Sequence, residues 1–174
     1  MLRPAKLYVN ELAKLVGETT TDPRYKWWHG STPTSIIEVE DTFWTKIQLV
    51  KLNRENKIIG YYNAAYARPE NYISNISCMN FNLKDKMAFS IGLKEFLNYL
   101  VNVVRVPKIS WISYVGNPME KAYDKLCEKH GGRIVGIEDF TTLIENKMYG
   151  SKYYQWLNKE WREKLWQTIQ NPVI

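Results

Sequence analysis

Hydrophobic and polar residues alternate with a period of two in one part of the chain and recur every three or four residues in another. Residues 43–50 have the period of two, which is typical of a β-strand. A polar turn at 53–56 follows, and 57–67 has strand character again, so the pattern predicts an antiparallel hairpin. A third strand, rich in Ile, Ser and Asn, is predicted over 72–81.

The strongest helical pattern follows this third strand. Its apolar positions recur at steps of three and four, opposite polar residues, and they are Phe89, Leu93, Phe96, Leu97, Leu100 and Val104. Pro107 ends the predicted helix, because proline cannot continue the helical hydrogen bonds. A short strand is predicted over 109–115.

A second helix is predicted from its capping residues. Asn117 is a favourable N-cap, Pro118 then takes the first helical position, and Glu120 lies where a capping box places its acid. Gly131 and Gly132 are expected to end this helix.

The two ends of the chain complete the predicted order. An edge strand is expected over 1–7, where Pro4 suits an edge, then a helix over 8–16 and an aromatic loop over 19–35 that is typical of a lid or a cleft wall. Strands over 133–144 and 152–157 flank a turn at 145–150. A closing helix carries Trp161, Leu165 and Ile169 on one side.

The order of these elements predicts an α/β domain with a mixed sheet. The central strand–helix–strand unit implies a parallel pair joined by a right-handed crossover, whereas the hairpins imply antiparallel pairs. A length of 174 residues fits a single domain. We assign 1–42 to an N-terminal helix and aromatic loop, 43–161 to the core, and 158–174 to a C-terminal helix or tail.

Composition excludes several classes of protein. Apolar residues make up 45% and charged residues 24% of the chain, as in ordinary globular proteins. The apolar run at 97–104 is too short to span a bilayer, so we expect no membrane partner. The net charge of +6 is scattered without a nucleic-acid motif, so a nucleic-acid partner is not expected.

Cysteine and histidine usage argues against a disulfide or a metal. Cys78 and Cys127 have no recognisable spacing, and we interpret them as free thiols in the cytoplasm. His29 and His130 lie far apart without another ligand at metal-binding spacing, so no metal site is expected.

The chain resembles the GCN5-related N-acetyltransferase (GNAT) family from about residue 43 to 161. Four stretches carry the resemblance: KIIGY at 57–61, Asn117 followed by YDKL at 123–126, GRIVG at 132–136, and YQWL at 154–157 before KEW at 159–161. The resemblance implies a GNAT-like acyltransferase fold. It also implies an enzyme that transfers an acetyl group from acetyl-CoA directly to an amine, without a metal.

The resemblance also implies site residues. It makes Tyr123 the general acid that protonates the CoA thiolate. Acetyl-CoA would lie in the splay between the strands at 72–81 and 109–115. The implied cofactor-binding residues are Met79, Phe81, Lys84, Lys86, Met87, Ala88, Phe89 and Asn117.

Two departures from the family pattern stand out. The family's pyrophosphate loop carries glycines that let a phosphate approach the backbone, and Met87 and Phe89 occupy those places here. The second helix has about one extra turn, Cys127 to His130, before its glycines, and Tyr123 lies one residue nearer to Asn117 than usual. A helix N-terminus still offers unpaired N–H groups to a phosphate.

Simpler interpretations exist for each site residue. Tyr123 fits a packing role, Asn117 a plain N-cap, and Lys84 with Lys86 a solvated loop. The alternative function is a catalytically inactive GNAT-fold scaffold, which the two missing glycines favour. The acceptor amine, a small molecule or a protein, stays open, as do the general base and a homodimer.

Overall fold

A computed structural model of the chain describes residues 1–29, 37–40 and 42–159. The strands are β1 (Leu2–Pro4), β2 (Lys46–Leu52), β3 (Ile58–Ala67), β4 (Tyr72–Asn80), β5 (Lys108–Tyr114), β6 (Arg133–Ile144) and β7 (Lys147–Leu157). The helices are α1 (Val9–Thr19), α2 (Lys26–His29), α3 (Lys86–Asn98) and α4 (Glu120–His130). Short 3-10 turns cover Ala5–Tyr8 and Pro23–Tyr25, and a π-helical turn, Tyr99–Val103, continues α3.

The strands form one seven-stranded mixed sheet in the order β1-β2-β3-β4-β5-β7-β6. β4 and β5 are parallel, as the strand–helix–strand unit predicts, and the other neighbours are antiparallel. The hairpin of β2 and β3 and the edge position of β1, with Pro4, are confirmed. The α/β class and the mixed sheet are therefore confirmed.

Helices cover both faces of the sheet and bury two clusters of apolar side chains. On one face, Leu12 and Val16 of α1 pack against Tyr61 and Met79. On the other face, α3 and α4 cover a larger core. Its buried residues include Tyr62, Phe89, Phe96, Leu100, Ile109, Trp111 and Tyr154. Among the described residues, no helix is long and apolar enough to cross a bilayer.

The start of α4 differs from the predicted one. The helix begins at Glu120 rather than Pro118, and Asn117 accepts a hydrogen bond from the N–H of Met119 (2.9 Å) within the preceding turn. Glu120 accepts from the N–H of Gly116 (2.8 Å) instead of from that of Asn117. The prediction was wrong because these side chains stabilise the turn and not the helix itself. The end at Gly131, with φ 75°, is confirmed.

The hairpin of β6 and β7 is tighter than predicted. Its turn is only Glu145 and Asn146, with φ of 49° and 61°, so β7 begins at Lys147 and not at 152. Two successive residues at positive φ match the twist of a hairpin, and asparagine tolerates this conformation. The aromatic loop predicted over 19–35 contains α2, and its residues 30–35 lie outside the described ones, as does the closing helix.

Candidate functional site

A splay between β4 and β5 is the central feature of the site. The two parallel strands share one pair of partners, Ile73 with Ile109, near their amino ends, and are not paired further towards their carboxyl ends. The connections into α3 and α4 both leave from this open end. A ligand in the splay would therefore meet the N-termini of two helices, where backbone N–H groups lack helical partners.

The first turn of α3 and the residues just before it carry most of the predicted cofactor residues. Lys84 and Lys86 are exposed, Ala88 is half-buried, and Met87 is 75% exposed. The side chain of Asp85 caps the helix by accepting from the N–H of Ala88 (2.9 Å). This carboxylate uses an amide that a phosphate would otherwise bind, whereas the two lysines supply positive charge beside it.

Phe89, at the second glycine place, points into the core. Its side chain is 8% exposed, and its ring stacks on that of Tyr62 with 5.3 Å between centroids. The Tyr62 hydroxyl donates to the Phe89 carbonyl oxygen (2.8 Å). The ring lies beneath the helix, so it does not stand between an incoming phosphate and the backbone.

A groove of about 500 Å³ lies between α3 and α4 on the same face. Trp111 of β5 contributes to its apolar floor, and Lys94 and Lys129 line it on either side. Other lining residues include Ser90, Leu93, Leu97, Ile109, Met119, Leu126 and Trp156. Sequence reasoning missed this groove, although it identified Leu93 and Leu97 as apolar positions of the helix. An apolar residue that lines a gap between two helices has the same sequence pattern as one that packs in a core.

Tyr123 of α4 lines this groove. Its ring lies 6.1 Å from that of Trp111 and 5.9 Å from that of Tyr154, between centroids. Burial raises the pKa of its phenol far above the usual value, so the hydroxyl keeps its proton at neutral pH. Within the described chain no group hydrogen-bonds this hydroxyl, which leaves it able to donate to a ligand.

The side chains of Met79 and Phe81 lie on the opposite face. Met79 is buried against α1, and the Thr19 hydroxyl lies 3.9 Å from its sulfur. Phe81 packs in the same cluster, and its N–H donates to the carbonyl of Ile59 (3.0 Å). The structure therefore brings Lys84, Lys86, Met87, Ala88 and Phe89 to the splay with Asn117 and Tyr123, and separates the side chains of Met79 and Phe81 from the groove.

The aromatic segment after α1 lies across the mouth of the splay. The Tyr25 hydroxyl donates to the carbonyl oxygen of Asn80 (2.9 Å) at the end of β4. The ring of Trp27 contacts that of Tyr149 edge-on, with 4.9 Å between centroids, and lies beside Gly116 after β5. Lys26 forms an ion pair of 2.5 Å with Glu145 in the β6–β7 turn.

A second pocket, of about 400 Å³, opens beside this segment on the α1 face. Asp22, Lys26, His29 and Glu145 supply its charged or ionisable lining. The Nε2 atom of His29 lies 2.9 Å from the Thr19 hydroxyl, and burial lowers the pKa of the imidazole, so this ring is neutral at pH 7.

An ionic network around the buried Lys152 fixes α4 to β7 beside Tyr123. Lys152, 7% exposed, pairs with Asp124 (2.8 Å) and Glu120 (3.2 Å). The Tyr154 hydroxyl donates to Asp124 (2.9 Å). Hydrogen bonding from Lys152 holds the pKa of Asp124 below its usual value. Sequence reasoning missed the network, whose only signal was a lysine at an inward-facing strand position.

Glu38, Glu40, Asp41 and Glu70 are candidate general bases from the sequence, but none of the described ones is placed by the structure in the splay or the groove. Glu38 pairs with Lys46 (2.7 Å), and Glu40 accepts from the N–H groups of Thr45 and Lys46 (both 3.0 Å). Glu70 lies in the β3–β4 turn, at the opposite end of β4 from the splay. Asp41 lies outside the described residues. No group of acids, histidines and cysteines in the described ranges has a metal-binding arrangement.

The order of the strands, the splay and the helix on either side of it define the GNAT fold, and comparison with solved structures supports this. An acetyltransferase of the GNAT family from Streptococcus pneumoniae superposes with a TM-score of 0.69 at 15% identity, covering 91% of this chain and 99% of that one. A ribosomal-protein-alanine N-acetyltransferase from Brucella melitensis gives 0.65 at 15% identity, covering 91% and 99%.

A probable acetyltransferase gives a TM-score of 0.66 at 14% identity, covering 92% and 93%. No family model and no curated protein matches the sequence. The chain thus has the GNAT fold, which it shares with the acetyltransferase structures named above.

Proposed function

We propose that the protein is an acetyl-CoA-dependent N-acetyltransferase that passes the acetyl group directly to an amine. The observation that carries this proposal is the position of Tyr123. Tyr123 lies on α4, the helix that follows the open end of β5, and its side chain lines the groove between α3 and α4. Its hydroxyl keeps its proton at neutral pH, because burial raises the pKa. Acid catalysis of this kind needs a proton donor within hydrogen-bonding distance of the leaving group.

The residues at the mouth of the splay fit the parts of acetyl-CoA. Lys84 and Lys86 would attract its phosphates, together with the N–H groups at the start of α3, and the apolar groove would take the less polar parts. Lys94 and Lys129 add positive charge around the groove. Bound acetyl-CoA supplies an acetyl thioester, whose carbonyl carbon is open to attack by an amine.

The transfer needs one proton donor from the protein. The amine nitrogen forms a bond to the acetyl carbon, the carbon–sulfur bond breaks, and Tyr123 gives its proton to the departing sulfur. The ammonium-like nitrogen of the intermediate loses a proton to solvent, which leaves a neutral amide, and Tyr123 takes a proton back from solvent. The acceptor would approach through the second pocket, because that pocket opens beside the aromatic segment at the mouth of the splay.

A catalytically inactive scaffold is the second candidate function. Asp85 supports it, because its carboxylate occupies one amide of the proposed anion-binding turn. The two missing glycines support it as well, because the backbone loses conformational freedom at their places. On this alternative the same fold would bind a partner and not acetyl-CoA.

A thermal-shift and calorimetric titration with acetyl-CoA separates the two candidates. Saturating ligand at 100 times Kd should stabilise the folded state by about 2.7 kcal/mol. Replacing Lys84 and Lys86 with Ala should weaken binding and flatten its salt dependence, because the variant lacks their charges. A control that replaces Lys14 and Lys57 loses the same charge away from the splay and should bind normally.

The absence of a shift with millimolar acetyl-CoA, and with longer acyl-CoA thioesters, would favour the scaffold. Equal salt dependence in all three proteins would instead remove Lys84 and Lys86 from the phosphate site without excluding binding.

A further inference from the structure

The outer edge of β6 exposes several apolar side chains in the part of the chain that the structure describes. β6 is the last strand in the sheet order and pairs only with β7 within the described chain. Ile134 is 47% exposed and Ile137 is 61% exposed, with Val135 between them also exposed. Unpaired N–H and C=O groups beside apolar side chains form a template for another strand.

The register with β7 assigns these side chains to faces. Ile134 lies opposite Tyr154, and Ile137 lies opposite Lys152. Tyr154 and Lys152 both reach Asp124 of α4, so the two isoleucines are on the α4 side as well, because cross-strand partners share a face. An irregularity in the pairing between Ile134 and Gly136 keeps them on the same side.

The charged residues of this stretch are on the other face. Arg133 lies opposite Gln155, and Glu138 lies opposite Ser151. Along β7, Gln155 and Ser151 alternate with Tyr154 and Lys152, which reach α4, so they point to the other face of the sheet. Neither Arg133 nor Glu138 belongs to an ion pair anywhere in the described part of the chain. Arg133 donates to the side-chain oxygen of Gln155 (2.7 Å), and Glu138 accepts from the Tyr153 hydroxyl (2.6 Å).

The sequence of the edge is complementary to its own reverse. Residues 133–138 read Arg-Ile-Val-Gly-Ile-Glu, so an antiparallel copy places a base opposite an acid and an isoleucine opposite an isoleucine. The small Gly136 then faces the residue at the irregularity, Val135. A Cβ added to Gly136 would meet no atom within 4 Å, so this place has room for that side chain.

We propose that β6 pairs antiparallel with β6 of a second copy and forms a homodimer with one continuous sheet. In this register Ile134 lies opposite the partner's Ile137, on the α4 side. Arg133 lies opposite the partner's Glu138, on the other side. Two-fold symmetry doubles each pair. The α4 face of the joined sheet thus has two pairs of isoleucines, and the other face has two pairs of an arginine with a glutamate. This complementarity is the reason that a second copy of the chain fits the edge.

Charge reversal tests the proposal on the full chain. Sedimentation and light scattering should give twice the monomer mass of 20.6 kDa for the wild type. Arg133→Glu should raise the dimer Kd by at least about tenfold, because it places two acids opposite each other in both pairs. Glu138→Arg should do the same with two bases, and the double variant should recover the dimer because its pairs are opposite again.

The control variant is Lys57→Glu, an exposed lysine outside β6, which should dimerise like the wild type. Circular dichroism of each variant checks that the fold is retained. A monomer at every concentration tested would overturn the proposal. A dimer that survives both single reversals, or a folded double variant that stays monomeric, would overturn it too. These outcomes do not depend on acetyl-CoA.

Discussion

Met87 and Phe89, which the resemblance aligns with the two glycines of the family's pyrophosphate loop, have opposite surroundings. The side chain of Met87 is in solvent, whereas the ring of Phe89 packs against Tyr62 under α3. We therefore expect the missing glycine to affect ligand binding through the reduced conformational freedom of the backbone. The Phe89 ring itself is directed away from the side on which a ligand would approach.

Phe89→Ala should destabilise the fold by about 3–5 kcal/mol, as truncation of a buried phenylalanine does. Chemical denaturation measures this loss, and Met87→Ala, at an exposed position of the same turn, should change the free energy of unfolding by less than about 0.5 kcal/mol. A Phe89→Ala protein of normal stability that binds acetyl-CoA more tightly would place the ring in the ligand's path instead.

Tyr123 is the residue on which the proposed chemistry depends. Tyr123→Phe keeps the ring packing on Trp111 and Tyr154 but removes the proton, so turnover should fall by about 10²–10⁴-fold while stability and acetyl-CoA affinity stay nearly unchanged. Steady-state kinetics on an accepted amine, with a binding titration, provides the measurement. Unaltered turnover across the pH range of activity would make Tyr123 a packing residue.

The adjacent Tyr154 provides a matched control with the opposite expected result. Its hydroxyl donates to Asp124, so Tyr154→Phe should cost about 1.5–3 kcal/mol of stability, as the loss of a hydrogen bond to a charged group does. Turnover of the folded variant should be retained. A large loss of turnover in both variants would point to the aromatic packing and not to the Tyr123 proton.

At the scale of elements, an ionic contact holds α4 in place. Asp124→Asn should destabilise the protein at neutral pH by about 1.5–3 kcal/mol, because it weakens the contact to the buried Lys152. The pKa of Asp124 is lowered in the folded state, so its contribution is present above its unfolded pKa of about 3.9 and is lost as the pH falls through the folded value.

The difference in unfolding free energy between wild type and Asp124→Asn should therefore shrink as the pH falls below about 4. Urea denaturation at several pH values tests this. A difference that stays constant down to acid pH would mean that packing of the side chain, and not its charge, stabilises α4. Lys57→Ala, which breaks an exposed pair with Glu55, is the control and should have little effect.

At the scale of the molecule, the splay divides the sheet into two halves. β4 is paired along its length with β3, and β5 is paired along its length with β7, but past Ile73 and Ile109 the two halves do not pair. Amides of 77–80 and 110–114 that point into the splay should therefore exchange hydrogen faster than those that point towards β3 and β7.

Acetyl-CoA should slow exchange at these splay-facing amides specifically. Exchange measured by NMR with and without the ligand provides the test, and the outer edge of β6, on the far side of β7, serves as the internal control. Uniform slowing over the whole sheet would indicate general stabilisation. Slowing confined to α1 would place the ligand on the other face.

The sequence by itself determined the elements whose signals are local. The hairpin of β2 and β3, the helical face of α3, the stop of α4 at Gly131 and the crossover between β4 and β5 follow from periodicity, capping glycine and order along the chain. The same order, together with four short stretches of sequence, carried the resemblance to the GNAT family. The wrong predictions from the sequence were also local. The start of α4 depended on side-chain acceptors in the preceding turn, and the length of β7 depended on two residues with positive φ in the β6–β7 turn.

Only the tertiary structure decided the surroundings of the candidate site. Lys152 meets Asp124 across 28 positions of sequence, and Tyr25 reaches Asn80 across 55, so no local pattern records either contact. The same holds for Tyr123. Its position in the helical pattern of α4 is the same whether its side chain packs in a core or lines a groove, so the pattern does not distinguish the two. A side chain's chemistry depends on its burial and neighbours, and those are set by the packing of segments that are distant along the chain.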